Sequence, residues 1–217
     1  MGKVSSFGTR GANLRAGVWV EWVTVAWMFI EIGVSIGAAV ASGSVALMAF
    51  GLDSGIELIS AGVLLWRLGL ERQGGDEERT ERAERRAAGI VGWTLMLLAL
   101  YVVGSAVWSL LHHLAPTTSP WGIGIAVGAV VVMPILVVVK RRVAARIGSA
   151  ALKADAAEGI VCTYMAAVLL IGLLVRALTG WWWVDPLVAL AIVYFIVSEG
   201  REAIEASRGA ETHCDDD

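Results

Sequence analysis

Apolar residues run along the chain in six blocks, approximately 17–42, 44–66, 87–114, 121–139, 149–175 and 182–200, separated by short polar or basic segments. At a rise of about 1.5 Å per residue, a block of roughly 19 residues or more comes close to crossing a hydrocarbon core of about 30 Å as a helix, and every block meets that length. The pattern predicts an all-α, polytopic membrane protein with six transmembrane helices. It divides into an N-terminal segment 1–16, a membrane domain 17–201 and a tail 202–217.

Composition agrees with that reading. The 217 residues are 57% hydrophobic and the mean hydropathy is +0.71, more apolar than a soluble domain of this size requires. Charge then orients the spans. Sixteen of the 17 Lys and Arg residues fall before helix 1, between helices 2 and 3, around the junction of helices 4 and 5, or after helix 6, and Arg176 alone falls on the other side. Because basic flanks stay inside, both termini are expected in the cytoplasm. Nine of the ten Trp sit near predicted span ends as membrane anchors, and only Trp27 is expected to be buried. The first block is too long for a signal-peptide core, so helix 1 is expected to remain in the mature protein. Cys162 lies within a span and Cys214 in the tail, which leaves no expectation of a disulfide. The net charge of -3 says nothing about partners.

Sliding the chain by 105 residues aligns 43–65 with 148–170 at nine identities in 23 positions. The same register superimposes Asp53 on Glu158 and Glu57 on Cys162. Helices 2 and 5 cross in opposite directions, so the halves read as inverted three-helix repeats, an arrangement that places substrate sites near the midplane. The pairs Gly33/Gly37, Gly51/Gly55 and Gly124/Gly128 suggest close helix approaches, and Pro134 suggests a kink in helix 4. The mixed-charge run 71–86 reads as a solvated connection leading into helix 3.

The chemistry lies inside the second and fifth blocks. Asp53 and Glu57 stand one helical turn apart, as do Glu158 and Cys162. An ionised side chain at the bilayer centre costs about 2.5–3.5 kcal/mol even on insertion scales, so four donors at that depth need a use. Between antiparallel helices, Glu57 should face the level of Glu158, and Asp53 that of Cys162. Three carboxylates and a thiolate suit a four-coordinate divalent ion of the Zn, Cd or Co type, the thiolate favouring softer ions. Protonated or interhelically bonded carboxylates, with Cys162 as an apolar filler, are the alternative. Asp155, on the same face nearer the cytoplasm, is either a mouth residue that attracts cations or an interfacial one. Glu31, deep in helix 1, either carries a coupling proton or makes an interhelical hydrogen bond. Glu21 is expected at the interface. His112 and His113 read as solvated, and the tail residues His213, Cys214 and Asp215 to Asp217 form no defined site.

The stretch 42–57 with its two carboxylates, the stretch 151–158 followed by Cys162, and the Asp185-Pro186 and Glu199-Gly200 pairs bounding the sixth block together resemble the cation diffusion facilitator (cation efflux) family of divalent metal exporters. The resemblance implies a transport site at Asp53, Glu57, Glu158 and Cys162, with Glu57 standing for a usual Asp, Glu158 for a usual His and Cys162 for a usual Asp. It further implies a proton-coupled exporter of Zn first, then Cd and Co, working by alternating access around a midplane site. Such a protein is not an enzyme and keeps no permanent cofactor. Its partners are the divalent metal, protons and the lipid bilayer, with no nucleic acid, and its place is the plasma membrane. Relatives of this kind append a cytoplasmic domain that assists dimerisation; this chain ends soon after helix 6, so a homodimer would rest on the membrane domain. Two rival readings are a non-transporting membrane scaffold and a membrane-embedded metal-dependent enzyme. The enzyme reading lacks any nucleophile or base beyond the ligands themselves.

Overall fold

A computed structural model describes residues 4–73, 77–147 and 150–208. Those residues form six α-helices: α1 (Val4–Ser42), α2 (Val45–Gln73), α3 (Glu77–Leu111), α4 (Pro120–Ile147), α5 (Ala150–Thr179) and α6 (Val184–Arg208). Each of the six expected blocks corresponds to one helix, with bounds that differ. The largest difference is the charged connection. α2 continues to Gln73 and α3 begins at Glu77, because Glu and Arg are good helix formers and support one another at i, i+4 spacing. Gly74 and Gly75 lie outside the described residues, as do His213 and Cys214. α4 continues through Pro134 as one helix.

Among the described residues, five helices are long and apolar enough by composition to cross a membrane: α1 over Ala16–Ser42, α2 over Val45–Trp66, α3 over Arg85–Leu111, α4 over Pro120–Arg146 and α5 over Asp155–Thr179. α6 is the exception, since only the stretch 186–198 separates Asp185 from Glu199. Its place in the bundle comes from packing on α3, its most extensive neighbour. Gly92 and Gly200 make that approach possible: a Cβ on Gly92 would lie 2.8 Å from the Gly200 carbonyl oxygen, and one on Gly200 would lie 3.1 Å from Leu95 Cβ. Of the glycine pairs singled out in the sequence, only Gly51 and Gly128 meet a neighbour this closely, against Ile36 and Trp27; Gly33, Gly37, Gly55 and Gly124 have open space instead. Spacing alone does not say which helix face is covered. Eight tryptophans are exposed in the protein without lipid, while Trp27 and Trp182 are half-buried.

Hydrogen bonds define two ends of the bundle. At one end the Thr117 amide donates to the Ser42 carbonyl at 2.8 Å, and Arg176 donates to the Pro116 carbonyl. There the Asp185 carboxylate accepts from the Ser44 hydroxyl, from the Val45 amide at 2.8 Å and from the Ala46 amide at 3.5 Å. Asp185 thus caps the N-terminus of α2, where free amides and the helix dipole favour an anion. Glycines at positive φ, Gly43 and Gly180, close α1 and α5 at this same end. The opposite end holds Lys140 with Glu21 and Asp155, and Gly89 against Ser207.

Helix neighbours follow the proposed halves. The packing pairs α1/α2 and α4/α5 exchange with one another when the halves are swapped, as do α2/α3 and α5/α6, while α1/α4, α2/α5 and α3/α6 map onto themselves. The contact of α2 with α6 has no counterpart of similar extent. That asymmetric contact builds the site described next.

Candidate metal centre

The buried face of α2 reads Leu47, Phe50, Asp53, Ser54, Glu57, Ala61 and Leu64, an i, i+3, i+4 stripe whose opposite side exposes Ile59 and Trp66. Asp53 and Glu57 therefore point into the bundle. α6 presents Asp185, Ala189, Ile192, Ile196 and Gly200 as buried residues, with Glu199 half-buried on the flank of that stripe. The Asp185 cap sets the register between the two helices. Measured along α2 from Ser44 to Glu57, and along α6 from Asp185 to Glu199, both side chains start about 20 Å from the capped end at about 1.5 Å per residue. The carboxylates consequently meet at one depth: one oxygen each from Asp53, Glu57 and Glu199 lie within 4.8 Å of one another. An ion at the centre of such a triangle is at most about 2.8 Å from each oxygen, so side-chain shifts of less than an ångström bring all three to the ~2.0–2.2 Å of a Zn–carboxylate bond.

The oxygens of this group are otherwise unserved. Both carboxylate oxygens of Asp53, both of Glu57 and Oε1 of Glu199 are buried without a hydrogen-bond partner. Glu31 and Asp185 are satisfied by hydrogen bonds, and Glu21 and Asp155 by the charge of Lys140. Glu31 accepts from Trp27 Nε1 of its own helix at 2.7 Å and from Ser54 Oγ of α2 at 2.6 Å, the latter being the interhelical bond that is one of its two expected roles. Asp185 has its three donors from the start of α2. A buried polar group without a partner costs free energy on the order of 1–3 kcal/mol, and more when charged, so five such atoms in one cluster mark a place for a cation or for protons.

The α5 residues stand differently. Glu158 is exposed in the protein without lipid and lines a narrow cleft with Glu57, Thr24, Met28, Met133, Lys140 and Asp155. Glu57 and Glu158 thus line one space. Cys162 is fully buried in the apolar core with Phe50, Ile56, Met165 and Ile196. Neither α5 residue belongs to the three-carboxylate group. Asp155 lies on the same cleft, bound to Lys140. Lys140 also pairs with Glu21 at 3.2 Å, and the three side chains are 5%, 0% and 13% exposed for Lys140, Glu21 and Asp155. Glu21, expected at the interface, is closed off from solvent where α1, α4 and α5 converge on it.

The domain that carries these residues has a match among known protein families. Residues 22–208 match the cation efflux transmembrane domain. The chain belongs to the cation efflux family. A protein of Synechocystis sp. named as an uncharacterized transporter is 29% identical over 175 residues, covering 79% of this chain and 56% of that relative. The chain thus spans little more than half the length of the curated relative it matches. Cation efflux membership and the relative's name both point to transport and away from catalysis. In this cation efflux domain the member of the three-carboxylate group that sequence reasoning misses is Glu199. It has no acidic partner in the repeat, where a shift of 105 residues places it on Thr94, and it stands where α6 reads as the end of a span.

Proposed function

We propose that the protein exports a divalent transition metal, Zn first with Cd and Co next, by alternating access around a site based on Asp53 and Glu57. The observation that carries this reading is the set of four buried, unpartnered carboxylate oxygens on those two residues, in a domain of the cation efflux family. Glu158 supports it by lining the cleft that reaches Glu57, and Cys162 follows one turn deeper on α5. In this reading the α5 pair joins the α2 pair as ligands at one stage of the cycle. The basic residues put both termini and the Lys140 end of the bundle in the cytoplasm, most simply at the plasma membrane. Metal then enters along the cleft past Asp155 and leaves at the Asp185 end.

Charge balance supplies the coupling. Adjacent carboxylates in a poorly solvated interior do not remain ionised together without a cation, so an empty site holds protons, and an incoming metal displaces them. Export thereby exchanges metal for protons. The test is the purified protein in liposomes carrying an internal pH dye and a metal indicator. Zn flux should be accompanied by proton movement in the opposite direction and should respond to an imposed pH gradient. Zn flux that ignores the gradient and moves no protons would make the protein a uniporter. Absence of flux for Zn, Cd and Co alike would favour the scaffold reading.

A further inference from the structure

We propose that Glu199 of α6 is a metal ligand, completing an all-carboxylate centre with Asp53 and Glu57 in the present arrangement of the helices, and that transport exchanges Glu199 for Glu158 of α5. This inference rests on the metal-transport reading and adds to it the identity of the third donor. Three observations converge. The oxygens of the three residues lie within 4.8 Å of one another, whereas Glu158 and Cys162 stand outside that group. Asp53 is 0% exposed, with both oxygens lacking any hydrogen-bond partner and one of them within 4.8 Å of a Glu199 oxygen. Glu199 itself has a buried oxygen without a partner, although the exposed end of α6 offers water only a few residues further on.

The architecture explains why the donor comes from α6. Asp185 ties the start of α2 to the start of α6 and so sets Glu57 and Glu199 in register, while Gly92 with Gly200 seats α6 tightly on α3. Glu57 is also the one member of the group that borders the cleft containing Glu158. It is therefore the pivot: a metal held by Asp53 and Glu57 passes from Glu199 on one side to Glu158 on the other without losing its α2 ligands. The donor set in the present arrangement is oxygen only. Carboxylate donors accept hard and borderline divalent ions, and the soft Cys162 thiol stays in the apolar core. Binding in this arrangement does not use it.

The full chain, purified in detergent micelles, is titrated with Zn2+ and with Co2+, reading binding by calorimetry and the metal-induced rise in unfolding temperature. Glu199→Gln should weaken binding by about tenfold or more and remove most of the thermal shift, while Glu202→Gln, an exposed neighbour on α6, should behave as wild type. Because Glu199 has an unpartnered oxygen, the metal-free unfolding temperature of Glu199→Gln should not fall. If it does fall, Glu199→Asp decides: it keeps the charge but shortens the reach, so weakened binding supports the proposal and unchanged binding overturns it. Wild-type affinity in folded Glu199→Gln, with binding lost in Asp53→Asn, would remove Glu199 as a ligand and leave the α2 site standing. Wild-type affinity in both variants would place the metal elsewhere and overturn both readings.

Discussion

Asp53→Asn and Glu57→Gln should each abolish metal flux, by about 100-fold or more, while raising the stability of the metal-free protein. The two effects have one cause. Each carboxylate is buried with both oxygens unpartnered, so in the empty protein it is a liability that a neutral amide of the same shape reduces. In the loaded protein the same carboxylate is a charged ligand at close range, and its loss removes both a bond and charge compensation. Zn flux into proteoliposomes and thermal unfolding without metal should therefore move in opposite directions. A purely structural role for the pair predicts the reverse sign on stability, with unfolding at lower temperature.

The second large effect is expected at Lys140. Its ammonium group bridges Glu21 of α1 and Asp155 of α5, and the side chain is 5% exposed. Removing one partner of a buried ion pair leaves uncompensated charge and costs about 3–5 kcal/mol, whereas removing the whole set is often close to neutral. Lys140→Met should accordingly destabilise the protein by about that amount, and the triple change Lys140→Met, Glu21→Gln, Asp155→Asn should recover most of it. Detergent-solubilised protein unfolded by heat or by denaturing detergent gives the comparison. Equal instability in the single and triple variants would mean that Lys140 acts through packing of its aliphatic stem and not through charge. Since Lys140 and Asp155 line the cleft toward Glu57, the triple variant also reports whether the ion pairs limit metal access.

Much of the bundle is legible in the sequence because membrane helices declare themselves by length and apolarity, and because the alternation of ends follows from counting them. The α2 carboxylates are legible for the same reason: Asp53 and Glu57 interrupt an apolar run at one-turn spacing, and burial of both follows from the stripe that runs from Leu47 to Leu64. Partner choice is what sequence does not supply. The repeat points to α5, yet the three-carboxylate group draws on α6, because the Asp185 cap on α2 couples residues 140 positions apart. A hydrogen bond of that span leaves no local trace, and Glu199 near the end of a short apolar stretch reads as an interfacial residue. The burial of Glu21 eludes the sequence for a similar reason. Its place near the start of the first apolar block suggests the interface, but its neighbours α4 and α5, with Lys140 and Asp155, enclose it. Glycine spacing is a weak guide too, since Gly33, Gly37, Gly55 and Gly124 face open space while the contact of α3 with α6 uses Gly92 and Gly200 in separate helices.

The central claim is that the α2 carboxylate pair holds the transported cation, and anomalous diffraction from crystals grown with Zn2+ tests it most directly. A strong zinc peak within bonding distance of both Asp53 and Glu57 is expected, absent from crystals of Asp53→Asn. Zinc found only at surface histidines or acidic side chains, with an undisturbed and metal-free pair at Asp53 and Glu57, would contradict it.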